Sequence, residues 1–162
     1  MRKVFVLAGV FLCATAGVHK LHAASPSGRF VVMAGTGSGN GVVYDSKTGL
    51  EWQQTASVTY SWANAKTYCA GANTALGGSV FRLPTVKELM TVLDYSYSST
   101  SGTYHFASEF QISGTFFSFW SATVLGGASA QASPSSAWYL DSYVGSIGTQ
   151  STTSLLGVRC VR

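Results

Sequence analysis

The chain has 162 residues, of which 46% are hydrophobic and only 10% carry a charge, and 18 are glycine. This composition is typical of one β-rich extracellular domain and excludes a highly charged disordered chain. Ten basic residues outnumber six acidic ones, but Arg2, Lys3 and Lys20 lie in a predicted leader, which leaves seven against six. Net charge therefore gives no argument for a nucleic-acid or polyanion partner.

The N-terminal segment predicts export. Met1–Lys3 is basic, Val4–Val18 is apolar and uncharged, and the small residues Ala23 and Ala24 follow. This order is typical of a secretory signal peptide. We expect residues 1–23 to be the signal peptide, with cleavage after Ala23 or Ala24, and the protein to be periplasmic, at the cell surface or secreted.

Two other interpretations of the leader are less favoured. A permanent membrane anchor needs about 20 apolar residues, and the apolar run here is shorter. A lipoprotein would have small residues before the modified cysteine, whereas Phe11 and Leu12 precede Cys13. After cleavage we expect no membrane contact.

The first part of the mature chain predicts strands joined by turns. Residues 24–40 are expected to be a linker and a first strand, the strand covering Arg29–Met33. The glycine-rich segment 35–41 resembles a phosphate-binding loop, but neither a Lys-Ser/Thr pair nor a helical pattern follows it. The β-branched run Val42–Tyr44 follows instead, which favours a hairpin turn. A further extended stretch is predicted at Leu50–Gln53.

A first short helix is predicted after Ser61, which can cap it. Trp62, Ala65 and Cys69 recur at a spacing that places them on one helical face. Gly71 is suited to end the helix. Cys69 is therefore expected to point into the core from the last turn.

A second helix has the clearest local signal. Thr85 and Glu88 have the spacing of a capping box, in which each side chain bonds the backbone of the other residue. Pro84 prevents helix upstream. The helix is expected to end near Asp94, and its predicted core face consists of Val86, Leu89, Met90 and Leu93.

The remainder of the chain alternates as strands, at 116–123, 137–144 and 157–162, with Cys160 on the last one. Two early helices followed by several strands indicate an α+β fold. Residues 126–136 are predicted to be a loop.

Cys69 and Cys160 are the two cysteines that survive leader cleavage. An isolated pair in an oxidising compartment most simply forms a disulfide. A zinc site is the first alternative, but zinc normally takes four ligands and His105 is the one histidine left. A catalytic thiol is the second, and it usually needs a neighbouring base.

Six segments in order resemble one family: VYDSKTGLEWQQ (43–54), SWANAKTYC (61–69), FRLPTVKEL (81–89), FWSAT (119–123), AWYLD (137–141) and VRCVR (158–162). The chain is similar over residues 41–162 to the Lcl C-terminal domain family, named for a bacterial collagen-like adhesin. The resemblance implies a C-type-lectin-like fold, with two short helices, a twisted antiparallel sheet and one disulfide from a helix to the last strand. Phe81 and Ala122 depart from the family's usual Trp and Ser.

The resemblance does not specify a ligand or a cofactor. The founding adhesin is thought to bind sulfated glycans, and it acts as a trimer through its collagen stalk. This chain has no Gly-X-Y repeat of such a stalk. The Glu-Pro-Asn and Trp-Asn-Asp triplets of calcium-dependent lectins are also missing. Asp94, Glu109 and Asp141 are too sparse for a calcium cage. We expect no cofactor; calcium is the alternative that stays open, without support from the sequence.

The favoured function is a non-catalytic, adhesin-like binding module for a glycan or protein on a surface. Its predicted ligand-binding residues are Tyr95, Tyr97, Tyr104 and His105, in a stretch that mixes tyrosine with small hydroxylated residues. Tyrosine offers a large contact area at low entropic cost, and serine and glycine offer adaptable hydrogen bonds. Tyrosines that anchor an inert loop to the core are the alternative.

Two other functions remain open. One is a structural or oligomerising subunit of a cell-surface assembly, with Phe116, Phe117, Trp138 and Tyr143 as contacts, although ordinary core positions are favoured for Phe117 and Trp138. The other is an enzyme related to the formylglycine-generating enzymes, which use a reactive cysteine pair. Arg82, Glu88 and Arg159 lie in the family motifs and are expected to have structural roles.

Overall fold

A computed structural model describes residues 25–33, 41–71, 80–96, 105–126 and 134–162. The predicted leader, most of the glycine-rich turn, Tyr97 and Tyr104 lie outside these residues. Within them the chain forms an α+β fold that is mostly sheet.

The elements follow the predicted order, with additional short strands before the first helix and one short strand after the second. In chain order they are β1 (Phe30–Met33), β2 (Val42–Asp45), β3 (Glu51–Gln53), β4 (Thr55–Ala56), β5 (Thr59–Tyr60), α1 (Trp62–Gly71), α2 (Val86–Thr91), β6 (Gln111–Ile112), β7 (Ser118–Val124), β8 (Ser136–Asp141), β9 (Ser146–Ser151) and β10 (Leu156–Gly157).

The strands form three sheets. The largest has the order β5-β10-β7-β8-β9, a second has the order β1-β2-β3, and β4 pairs with β6. Most neighbours are antiparallel, as predicted, but β10–β7 and β4–β6 are parallel. The antiparallel pairing of β1 with β2 agrees with the predicted hairpin.

The five-stranded sheet separates two buried clusters. Phe119 and Leu140 pair across β7 and β8 and belong to the cluster that contains Leu89 of α2. The next pair, Trp120 and Tyr139, packs in the cluster that contains α1. Because successive strand residues point to opposite faces, one helix covers each face of this sheet.

Helix α1 has the predicted buried face, formed by Trp62, Ala65 and Cys69. Cys69 and Cys160 form the predicted disulfide, with their Cα atoms 5.3 Å apart. Cys160 does not lie on a regular last strand, because β10 ends at Gly157. The terminal residues instead pair with β3 and with Arg82 through Val161.

Helix α2 has the predicted capping box between Thr85 and Glu88. Glu88 also accepts two hydrogen bonds from Arg82, of 2.8 and 2.6 Å. The helix ends at Thr91, earlier than predicted. Met90 is 45% exposed, whereas Leu89 is fully buried, so the predicted core face was wrong at Met90.

Candidate binding surface

The turn 142–145 between β8 and β9 is held by hydrogen bonds. Asp141 Oδ1 accepts from the backbone N–H groups of Tyr143 and Val144, at 2.9 and 3.2 Å. Ser142 is buried and donates to the carbonyl of Phe117 through both its N–H and its hydroxyl. The turn is thereby fixed to the residue that precedes β7.

Tyr95, which follows α2, packs on the same turn. Its hydroxyl donates to the carbonyl of Gly145 at 2.8 Å, and its ring lies 5.5 Å from the ring of His105. Gly145 has φ 68°, and a Cβ there would approach the Tyr95 ring within 2.6 Å. Glycine is thus required both by the backbone conformation and by this close contact.

His105 packs against Tyr95 and is the more buried of the two residues. It is 8% exposed, and its backbone N–H donates to the carbonyl of Ser142 at 2.7 Å. Its carbonyl accepts from the N–H of Asp94 at 2.5 Å. These bonds join Asp94 in the segment after α2, His105 and the β8–β9 turn into one connected support.

Asp94 is nearly buried, and its carboxylate accepts backbone N–H groups from Ser25 and Ser96, at 3.0 and 2.8 Å. Burial disfavours the ionised form, but hydrogen bonds from Ser96 and Ser25 outweigh it and lower the pKa of Asp94. The carboxylate is therefore occupied in holding backbone.

Four side chains around this turn are exposed, and we call them the aromatic surface: Tyr95, Phe117, Tyr143 and Val144. Their exposed fractions are 44%, 40%, 40% and 55%. The rings of Phe117 and Tyr143 lie 5.4 Å apart. Exposed aromatic rings on a hydrogen-bonded support are suited to binding, because little conformational freedom remains to be lost.

Of the four residues predicted to face a ligand, two lie at this surface or next to it, and the other two lie outside the described residues. Tyr95 belongs to it, and His105 lies under it. Phe117 and Tyr143 also belong to it; the sequence offered Tyr143 as a subunit contact, and the core position that it favoured for Phe117 was wrong. Phe116 and Trp138 are half-buried, and Phe116 packs against Phe119.

Arg159 is fully buried and is not part of the aromatic surface. Its guanidinium donates to the carbonyls of Gln53 and Gln54, both at 2.6 Å, and of Gln111 at 2.9 Å. Burial lowers its pKa to about 9, which leaves it charged at neutral pH. The side chain therefore has a structural role.

The described residues contain no group of three or more His, Cys, Asp or Glu side chains placed to hold a metal ion. In the same parts of the chain no helix has the length and apolar character needed to cross a membrane. Cys69 and Cys160 are fully buried and joined to each other.

Comparison with known proteins identifies the family. No curated protein matches the chain. The model of the Lcl C-terminal domain matches residues 41–162, which include α1, α2 and the strands β2 to β10 of the described residues. The chain therefore belongs to the Lcl C-terminal domain family.

Proposed function

We propose that this protein is an exported, non-catalytic binding module with a C-type-lectin-like fold that recognises a glycan or protein on a surface. The observation that carries the proposal is the aromatic surface, which exposes three rings on a support fixed by hydrogen bonds. Membership of a family named for an adhesin supports the same class of function.

The chemistry of the aromatic surface suits a sugar ring. A pyranose has apolar C–H faces that pack on aromatic rings, and hydroxyl edges that bond to polar tips. The rings of Phe117 and Tyr143 lie 5.4 Å apart, and each side chain is 40% exposed. A protein ligand would use the same side chains as energetic hot spots.

A catalytic function has less support. A reactive cysteine pair, as in the formylglycine-generating enzymes, needs thiols that substrate can reach. Cys69 and Cys160 are bonded to each other and fully buried. Free-thiol titration of the native, unreduced protein should find neither of them reactive.

The binding proposal is tested with a glycan array and a panel of immobilised surface proteins, each probed with and without calcium. The probe is the disulfide-bonded protein recovered from the periplasm of an expression host. For the best ligand found, Tyr143→Ala and Phe117→Ala should each weaken binding about tenfold or more, as removal of a hot-spot ring does. Tyr97→Ala and Tyr104→Ala should also weaken it.

Met90→Ala is the matched control, because Met90 is equally exposed but lies on α2. It should leave binding unchanged, and all variants should keep the wild-type melting temperature. Binding should depend weakly on salt, because the mature chain is nearly neutral. Binding that survives loss of both rings would contradict the proposal.

A further inference from the structure

Strand β9 forms one edge of the five-stranded sheet. Its six residues pair with β8 in continuous register, from Asp141 opposite Ser146 to Ser136 opposite Ser151. Gly148 is half-buried, and the other five residues are exposed. Within the described residues no strand pairs with the other side of β9, so this side carries a regular row of backbone N–H and C=O groups suited to pairing.

Proteins usually protect such edges with lysine, proline, a bulge or a very short strand. Residues 146–151 (SIGTQS) contain no charged residue and no proline. The register shows no irregularity. The opposite edge of the sheet, β5, has only two residues, so β9 is the less protected edge of this sheet.

We propose that β9 pairs antiparallel with β9 of a second copy of this chain and joins the two sheets into one continuous sheet. This inference does not depend on the proposed ligand. A two-fold dimer contact requires a surface that is complementary to itself. An uncharged strand satisfies this requirement, because self-pairing opposes no like charges.

Two further properties favour a second copy over a foreign extended peptide. The mature chain has seven basic and six acidic residues, so two copies do not repel one another at long range. Strand β9 itself has no charged residue with which to select a foreign sequence. Ile147, which is 40% exposed, would gain a cross-strand neighbour.

The pairing has a consequence for the aromatic surface. The turn 142–145 immediately precedes β9, so antiparallel pairing places the two turns at opposite ends of the shared interface. For a six-residue strand the two ends are about 20 Å apart. The dimer would then present one aromatic surface toward each end.

The test is sedimentation velocity of the periplasmic, disulfide-bonded protein from low micromolar to near-millimolar concentration. We expect a concentration-dependent dimer. Thr149→Lys places a lysine on the exposed edge and should weaken dimerisation about tenfold or more. Thr149→Val keeps the strand propensity without charge and should preserve the dimer. Circular dichroism should show both variants folded.

Hydrogen exchange locates the contact. Amides of residues 146–151 should become more protected as the protein concentration rises, and in Thr149→Lys this gain should be lost. A protein that stays monomeric over the whole range would overturn the proposal. So would a dimer that Thr149→Lys leaves intact, or concentration-dependent protection in β1 instead of β9.

Discussion

Replacement of Arg159 by methionine should test whether this buried cation stabilises the fold. The three hydrogen bonds from Arg159 to the carbonyl oxygens of Gln53, Gln54 and Gln111 would be lost. At about 1 kcal/mol for each hydrogen bond, this loss amounts to about 3 kcal/mol. Arg159 also lies 4.8 Å from the ring centroid of Phe106, a contact that contributes about 1 to 2 kcal/mol when desolvated.

Removal of a buried charge works in the opposite direction, because the charge no longer has to leave water. We therefore expect Arg159→Met to lower the free energy of unfolding by about 3 to 4 kcal/mol. Such a loss is a large fraction of the stability of a small domain. Arg159→Lys should be intermediate, since a lysine keeps the charge but not the planar set of donors.

The measurement is urea unfolding at neutral pH without reductant, followed by tryptophan fluorescence. Arg82→Met is the matched control: the side chain of Arg82 is 48% exposed and its ion pair with Glu88 lies at the surface. Its loss should cost no more than about 1 kcal/mol. If Arg159→Met is as stable as the wild type, or more stable, Arg159 does not stabilise the fold.

Three further predictions concern stability. Cys69→Ser and Cys160→Ser should each cost about 3 to 5 kcal/mol in urea unfolding and leave the partner thiol titratable. Thr85→Ala should cost about 1 kcal/mol through loss of the cap, and Leu89→Ala about 2 to 5 kcal/mol through a core cavity; equal, negligible effects would contradict the assignment of α2. The hydrogen-bonded ion pair with Arg82 lowers the pKa of Glu88 to about 2. The stabilisation of the fold by this ion pair should therefore be complete above pH 4.5 and lost as the pH falls toward 2. Glu88→Gln should flatten the acid unfolding curve in this window, and an unchanged curve would contradict the assignment.

The sequence predicts correctly those elements in which the pattern of neighbouring residues matches the pattern of buried residues. The capping box and the Trp62–Cys69 face depend on neighbours within one or two turns, so the pattern is visible in the chain itself. The disulfide was predicted from the cysteine count and from the expected oxidising compartment. The ligand-facing role of Tyr95 was inferred from composition and from the lack of core periodicity around it, and it stays a prediction.

Strand β9 has no such signal. Both of its faces are largely exposed at a sheet edge, so no alternation of apolar and polar residues marks it. Its position follows only from pairing with β8. Part of the turn that precedes β9 was predicted to be strand. Tyr143 and Val144 are apolar residues next to β8, but in the structure both are exposed.

Arg159 has the structural role that was expected, but its burial and its partners could not be predicted from the sequence. In an alternating strand a charged residue is expected to face solvent. The terminal segment is instead buried. Its arginine donates to the carbonyls of Gln53 in β3, of Gln111 in β6 and of Gln54, which lies between β3 and β4. Only the tertiary structure supplies those acceptors.

Stability and binding should be separable in this protein, because the disulfide and the aromatic surface are supported by different clusters. Cys69 and Cys160 lie in the cluster with α1. The support under the aromatic surface runs through the backbone of His105, and Phe106 next to it lies in the cluster with α2. Reduced protein that remains folded should therefore bind the ligand with unchanged affinity, although it unfolds at lower urea. A parallel loss of affinity and stability in the folded fraction would show that the two clusters are coupled across the sheet.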